Sequence, residues 1–148
     1  MRLSRCLLLA LLLSPAAMAQ STFDASALPP EGTLSKQLPP GVDVWIGLAV
    51  SDDKQIVRQG IGSTETEARL RARQECAREA GDCQPLSTLP VRDTCMGVAA
   101  DRAATPGTRA IFVAHEVGGS NAGVGQAALA QCTASGAQSC EIDIGYCF

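Results

Sequence analysis

Apolar and polar positions follow two rhythms along this chain. Val44-Trp45-Ile46-Gly47-Leu48-Ala49-Val50 is an almost unbroken apolar run that stops at Ser51-Asp52-Asp53, which predicts a buried strand entering a turn. Ile111, Val113, His115 and Val117 alternate with Phe112, Ala114 and Glu116, the period of two that sends side chains to opposite faces of a strand. Ala68, Ala72, Cys76 and Ala80 recur every fourth residue and predict one narrow apolar helix stripe. Thr64 is placed to cap that helix, with Glu67 completing a capping box and Gly81 as its stop. Glu65 and Arg69, and Glu67 and Arg71, stand one turn apart and lace the outer face with ion pairs. A second helix is expected from about Asn121 to Ser135, capped by Ser120. It carries no charge, and Gly123 and Gly125 each cost it roughly 1 kcal/mol against alanine. Such a helix is expected to pack on more than one side, under its own sheet or against a partner.

These elements recur. Val44–Val50 aligns with Thr94–Ala100 at an offset of 50 residues, and each run meets an acid, Asp52 or Asp101. A second strand follows in each copy, 55–62 and 109–118, then a glycine-serine step and a helix. Cys76 aligns with Cys132 and Cys83 with Cys140, at offsets of 56 and 57 residues. The change in offset places about six extra residues in the second hairpin, within Asp101 to Thr108. The fold class expected is α+β. Two strand-strand-helix-strand copies, about 42–93 and 94–148, form a mostly antiparallel sheet with both helices on one face.

The chain before residue 42 reads differently. Arg2 and Arg5, the apolar run Leu7–Leu13 and Ala17-Met18-Ala19 have the layout of a secretory signal peptide cleaved near Ala19. The apolar run is too short to span a bilayer, so no membrane anchor is expected. Residues 20–41, with Pro29-Pro30 and Pro39-Pro40, read as a flexible leader. Only 3% of the 148 residues are aromatic, so small aliphatic side chains and cysteine must build the core. Loss of Arg2 and Arg5 with the signal peptide takes the net charge from −3 to −5, which argues against nucleic acid as a partner.

Cys6 leaves with the signal peptide, and Cys76, Cys83, Cys95, Cys132, Cys140 and Cys147 remain. An even number in an exported chain reads as three disulfides, and export places the protein in a periplasm or outside the cell. The spacings contain no C-x2-C, so neither a zinc ribbon nor a thioredoxin-type motif is present, and no metal or other cofactor is expected. Six cysteines allow fifteen pairings. The repeat favours Cys76–Cys83 and Cys132–Cys140, because equivalent cysteines pair equivalently, which leaves Cys95–Cys147.

W-I-G-L-A-V-S at 45–51, S-T-E-T-E-A at 63–68, M-G-V-A-A at 96–100 and the six cysteines together resemble a family of small exported bacterial proteins, domain of unknown function 4189. The resemblance covers about residues 43–148. Ile46 between Trp45 and Gly47, the lack of tryptophan in the second hairpin and Gly123-Val124 at the second helix depart from the family pattern. The resemblance implies export, disulfides and a two-copy fold, and it implies no catalytic residues.

Candidate chemistry is sparse. His115 is the lone histidine and would have to serve any hydrolase triad. Glu141 and Asp143 alternate onto one face of the last strand, where two carboxylates could act as acid and base on a glycan, and Asp52-Asp53 sits in a turn. The longer second hairpin breaks the symmetry of the repeat, and loops that outgrow their equivalents are natural recognition elements. The sequence therefore favours a non-enzymatic exported binding protein, such as an inhibitor or immunity protein against a toxin acting on the cell envelope. Asp101, Arg102, Thr105 and Arg109 would face an exported or periplasmic protein, and the acidic charge suits a basic one. The alternatives are a hydrolase of cell-wall glycan or peptide, using Glu141, Asp143 or His115, and an envelope structural protein.

Overall fold

A computed structural model describes residues 29–148; the expected signal peptide and residues 20–28 lie outside the described residues. The elements run α1 (Thr33–Gln37), β1 (Trp45–Ser51), β2 (Ile56–Gly62), α2 (Glu65–Ala77), β3 (Gln84–Pro90), β4 (Thr94–Asp101), β5 (Ile111–Val117), α3 (Asn121–Ala134) and β6 (Cys140–Cys147). The fold is α+β and is stapled by three disulfides, Cys76–Cys83, Cys132–Cys140 and Cys95–Cys147. The first two tie each helix to the chain entering the next strand. The third crosses directly between β4 and β6, where Cys95 faces Cys147.

The strands form two sheets rather than one. Each copy builds its own antiparallel sheet with its first strand in the middle, β2-β1-β3 and β5-β4-β6. The two helices accordingly do not share a face. Ile46 and Leu48 of β1 join Met96, Val98 and Ala100 of β4, with Ile111, Tyr146 and Phe148, in one core between the sheets. The opposite face of β1 packs Ala49 against Ala72 and Cys76 of α2. The opposite face of β4 packs Ala99 against Ala128 and Cys132 of α3. The layers are thus helix, sheet, sheet, helix. The physical reason is in the central strands: β1 is buried from Ile46 onward and β4 from Thr94 to Ala100. A strand apolar on both faces needs cover on both, and here a helix supplies one and the other sheet supplies the second.

Both helices sit close because the strands beneath them carry glycine. A Cβ on Gly47 would lie 2.4 Å from Ala68 O, and one on Gly97 would lie 2.0 Å from Val124 O. In α2 the Thr64 hydroxyl accepts from Glu67 N at 3.2 Å, while Glu67 reaches back to the backbone N–H and hydroxyl of Ser63. The box is therefore closed one residue earlier than the usual pattern. The ion pairs Glu65–Arg69 and Glu67–Arg71 form as spaced. In α3, Ser120 accepts from Gly123 N at 3.1 Å. Only Val124, Gly125, Ala128 and Cys132 of α3 are buried, so its uncharged outer face is exposed rather than packed on several sides.

The described part of the leader, 29–41, is docked rather than loose. Gly32 N–H donates to Cys147 O at 2.8 Å, and the Tyr146 hydroxyl donates to Pro29 O at 2.6 Å. The Ser35 hydroxyl donates to Val91 O and accepts from Asp93 N, and Arg92 donates to Pro39 O and Val42 O. Leu34 and Leu38 pack on the inter-sheet core. Proline and glycine gave this segment no periodicity, but its polar groups find partners around the β3–β4 turn and the end of β6.

Candidate functional site

The turns that follow β1 and β4 lie at the same end of the molecule, and the longer one is clasped to the shorter. Arg109 donates to both carboxylate oxygens of Asp52, at 2.7 and 3.1 Å. Gln55 Nε2 donates to Ala104 O at 3.0 Å, and Gly107 N–H donates to Asp52 O at 3.1 Å. A planar guanidinium matched to a carboxylate fixes orientation as well as distance. These contacts join the two copies across the hairpin end.

Within the long hairpin, Asp101 Oδ1 accepts from Ala103 N and Ser139 N, both at 3.0 Å. Thr108 donates its hydroxyl to Thr105 O and accepts from Thr105 N, closing a tight tip. Ala103, Thr105, Pro106, Gly107 and Thr108 are exposed there. Among the four residues expected to meet a partner, only Thr105 stands at the free tip. The charges of Asp101, Arg102 and Arg109 are engaged within the protein: Asp101 and Arg109 hold the loop, and Arg102 ties its base to β6.

Arg102 reaches sideways to β6. Its guanidinium pairs with Glu141 at 3.2 Å and with Asp143. The Asp143 side chain is only 10% exposed, and its Oδ2 has no hydrogen-bond partner among the described residues. Burial pushes the Asp143 carboxyl above its ordinary value, Arg102 partly offsets this, and the Glu141 charge adds to the upward push. Register explains the site: β6 bulges, with Ile144 opposite Val98 and Ile142 opposite Ala99, so Asp143 is the extra residue. The first copy bulges at the equivalent place, with Ser87 opposite Leu48 and Pro85 opposite Ala49, and its extra residue is Leu86. Leu86 packs on the core. An acid therefore occupies in one copy the position that an apolar side chain occupies in the other.

The chain belongs to the DUF4189 family. The family model, described as a domain of unknown function, matches residues 45–147, from the start of β1 to the end of β6. Comparison with curated proteins and with solved structures gives no match. The docked segment 29–41 precedes the DUF4189 match, whereas the clasped hairpin, all six cysteines and the Arg102 cluster fall inside it.

Other candidate groups are placed apart. His115 is exposed on β5 opposite Met96, with its Nδ1 3.4 Å from the Ser87 hydroxyl of β3. Glu141 lies opposite Ala100, on the other flank of β4. Four residues of strand separate these two register positions, roughly 13 Å, so His115 and the carboxylate pair do not converge. Asp53 is exposed beside the bound Asp52. Ser87 beside His115 was missed by sequence reading, because only the packing of β3 near β5 brings them together. No helix among the described residues is long and apolar enough to cross a membrane.

Proposed function

We propose that this domain is an exported, non-enzymatic binding protein that presents the tip of the 101–109 hairpin to another exported or periplasmic protein. The observation that carries the reading is the clasp. Arg109, Gln55 and Gly107 hold the loop to the first hairpin, and Asp101 and Thr108 hold it internally, so its shape is set before any partner arrives. A loop ordered in advance spares about 0.5–1.5 kcal/mol of ordering cost per side chain on binding. Removal of the signal peptide near Ala19 would leave an acidic protein, whose long-range field favours a basic partner. An inhibitor or immunity protein against an envelope-acting toxin fits this shape and charge.

A second reading is hydrolysis of cell-wall glycan, favoured by Asp143, whose carboxyl is raised beside Glu141 in the manner of a general acid. Against it, one guanidinium already holds both carboxylates.

The test is capture from periplasmic and secreted extracts by the oxidised protein beginning at residue 20. Capture of a basic protein at one-to-one stoichiometry, weakened by salt and lost in Thr105→Arg with Thr108→Arg but kept in Arg73→Glu on α2, supports the hairpin reading. Capture indifferent to the tip substitutions overturns it. Cleavage of purified peptidoglycan that disappears in Glu141→Gln replaces it with the hydrolase.

A further inference from the structure

The Arg102 cluster is not needed to hold the tip in shape, because Asp101, Thr108 and the Asp52–Arg109 pair do that. It joins the base of the hairpin to the outer strand of the second sheet, and three features set it apart. One cation serves two carboxylates. One of those carboxylates is nine-tenths buried and leaves an oxygen without a partner among the described residues. The equivalent bulge position in the first copy holds leucine. A buried acid is a costly way to fill a site that an apolar residue can fill. We propose that Arg102, Asp143 and Glu141 form an acid-sensitive latch, in which protonation of Asp143 frees Arg102 and loosens the base of the partner-binding hairpin. This rests on the hairpin reading above and adds its regulation.

The sign follows from linkage. With Arg102 in place, its positive charge helps keep Asp143 ionised. With Arg102 swung into solvent, Asp143 faces only the Glu141 charge on its own strand and holds a proton more tightly. The released form therefore binds more protons, and acid favours it. The charged groups at this site are Arg102 from the hairpin and Glu141 from β6, with Asp101 one residue before Arg102 and bonded to the Ala103 and Ser139 amides. Release would also expose one more cation at a surface proposed to bind a basic protein, so acid would weaken the complex. Global stability moves the other way. The Asp143 carboxyl is raised in the fold relative to the unfolded chain, so its contribution is fully present in acid and is lost as pH rises through its folded value.

The experiment follows the Arg102 side-chain Nε–H by NMR in the whole oxidised protein between pH 7.5 and 4.5, with no partner present. Protection of that proton should fall as the pH is lowered, because the released form binds the additional proton. Asp143→Asn should abolish the transition, Glu141→Gln should move its midpoint to lower pH, and Asp101→Asn should leave the midpoint in place. An Arg102 signal constant across this range overturns the latch, as does a transition that persists in Asp143→Asn. Because the readout is within the molecule, it stands whether or not the capture experiment finds a partner. Loss of capture at low pH only in proteins with Asp143 intact would then tie the latch to binding.

Discussion

At the scale of single residues, the tightest constraint is the approach of helix to sheet. Gly97 faces Val124 O and Gly47 faces Ala68 O, so the obstacle to a larger residue is backbone rather than a side chain that could swing away. Gly97→Ala should lower stability by about 1–3 kcal/mol, the usual range for forcing extra atoms into a packed site. Thermal melting of the oxidised protein should show a drop of several degrees, while Gly81→Ala, with nothing within 4 Å of its added Cβ, should leave the midpoint nearly unchanged. Equal midpoints for the two variants would mean that α3 stands farther from β4 than described. Both sheet glycines are visible in the sequence as repeat markers, W-I-G-L-A and C-M-G-V-A, but their role depends on which helix lies above them. Arg102 is a similar case. Its charge is plain in the sequence, yet its partners are 39 and 41 residues away and are set by the β4–β6 register.

At the scale of elements, periodicity carried the reading where one face of an element is apolar. Ala68, Ala72 and Cys76 of the stripe are buried on α2 and Ala80 is buried just beyond it, since the helix ends at Ala77 with Arg78 as its cap rather than at Gly81. The caps Thr64 and Ser120 accept the expected amides. Periodicity failed where elements share cover. The continuous apolar runs of β1 and β4 required burial on both faces, and a single sheet with both helices on one side would have left one face bare. That signal was present and points to two sheets once both faces are counted. The leader was opaque for another reason: α1 spans five residues and is held by individual hydrogen bonds rather than by a stripe. Ser35 is the central peg, donating to Val91 O at 3.0 Å and accepting from Asp93 N at 2.7 Å. Ser35→Ala should cost about 1–2 kcal/mol, one or two net hydrogen bonds, and make the 29–41 segment cleavable by added protease while the rest stays protected. Cleavage equal to that of the unsubstituted protein would mean that Leu34, Leu38 and the Gly32, Tyr146 and Arg92 hydrogen bonds hold the segment without Ser35.

At the scale of the whole molecule, the repeat poses a choice between two units and one. Each copy has its own sheet, its own helix and its own short disulfide loop, Cys76–Cys83 or Cys132–Cys140. The clusters under the helices belong to single copies, but they are small and built largely from alanine and cysteine. The large side chains lie in the core between the sheets, where Leu48 and Leu89 of one copy meet Met96, Val98, Ile111 and Tyr146 of the other. Separating the copies would expose that core, and a copy of about 50 residues has too little else to bury. Cys95–Cys147 lies wholly within the second copy, so it does not join the two; packing and the Asp52–Arg109 clasp do. Unfolding should therefore be one cooperative step. Trp45, the single tryptophan, lies in the first copy and reports on it alone, whereas far-ultraviolet circular dichroism reports on both. Denaturant curves from the two probes on the oxidised protein should coincide. Leu48→Ala, which removes about 2–5 kcal/mol from the shared core, should move both curves together. Curves that separate, or a mutation in β1 that shifts the fluorescence curve alone, would show two independently folding copies held side by side.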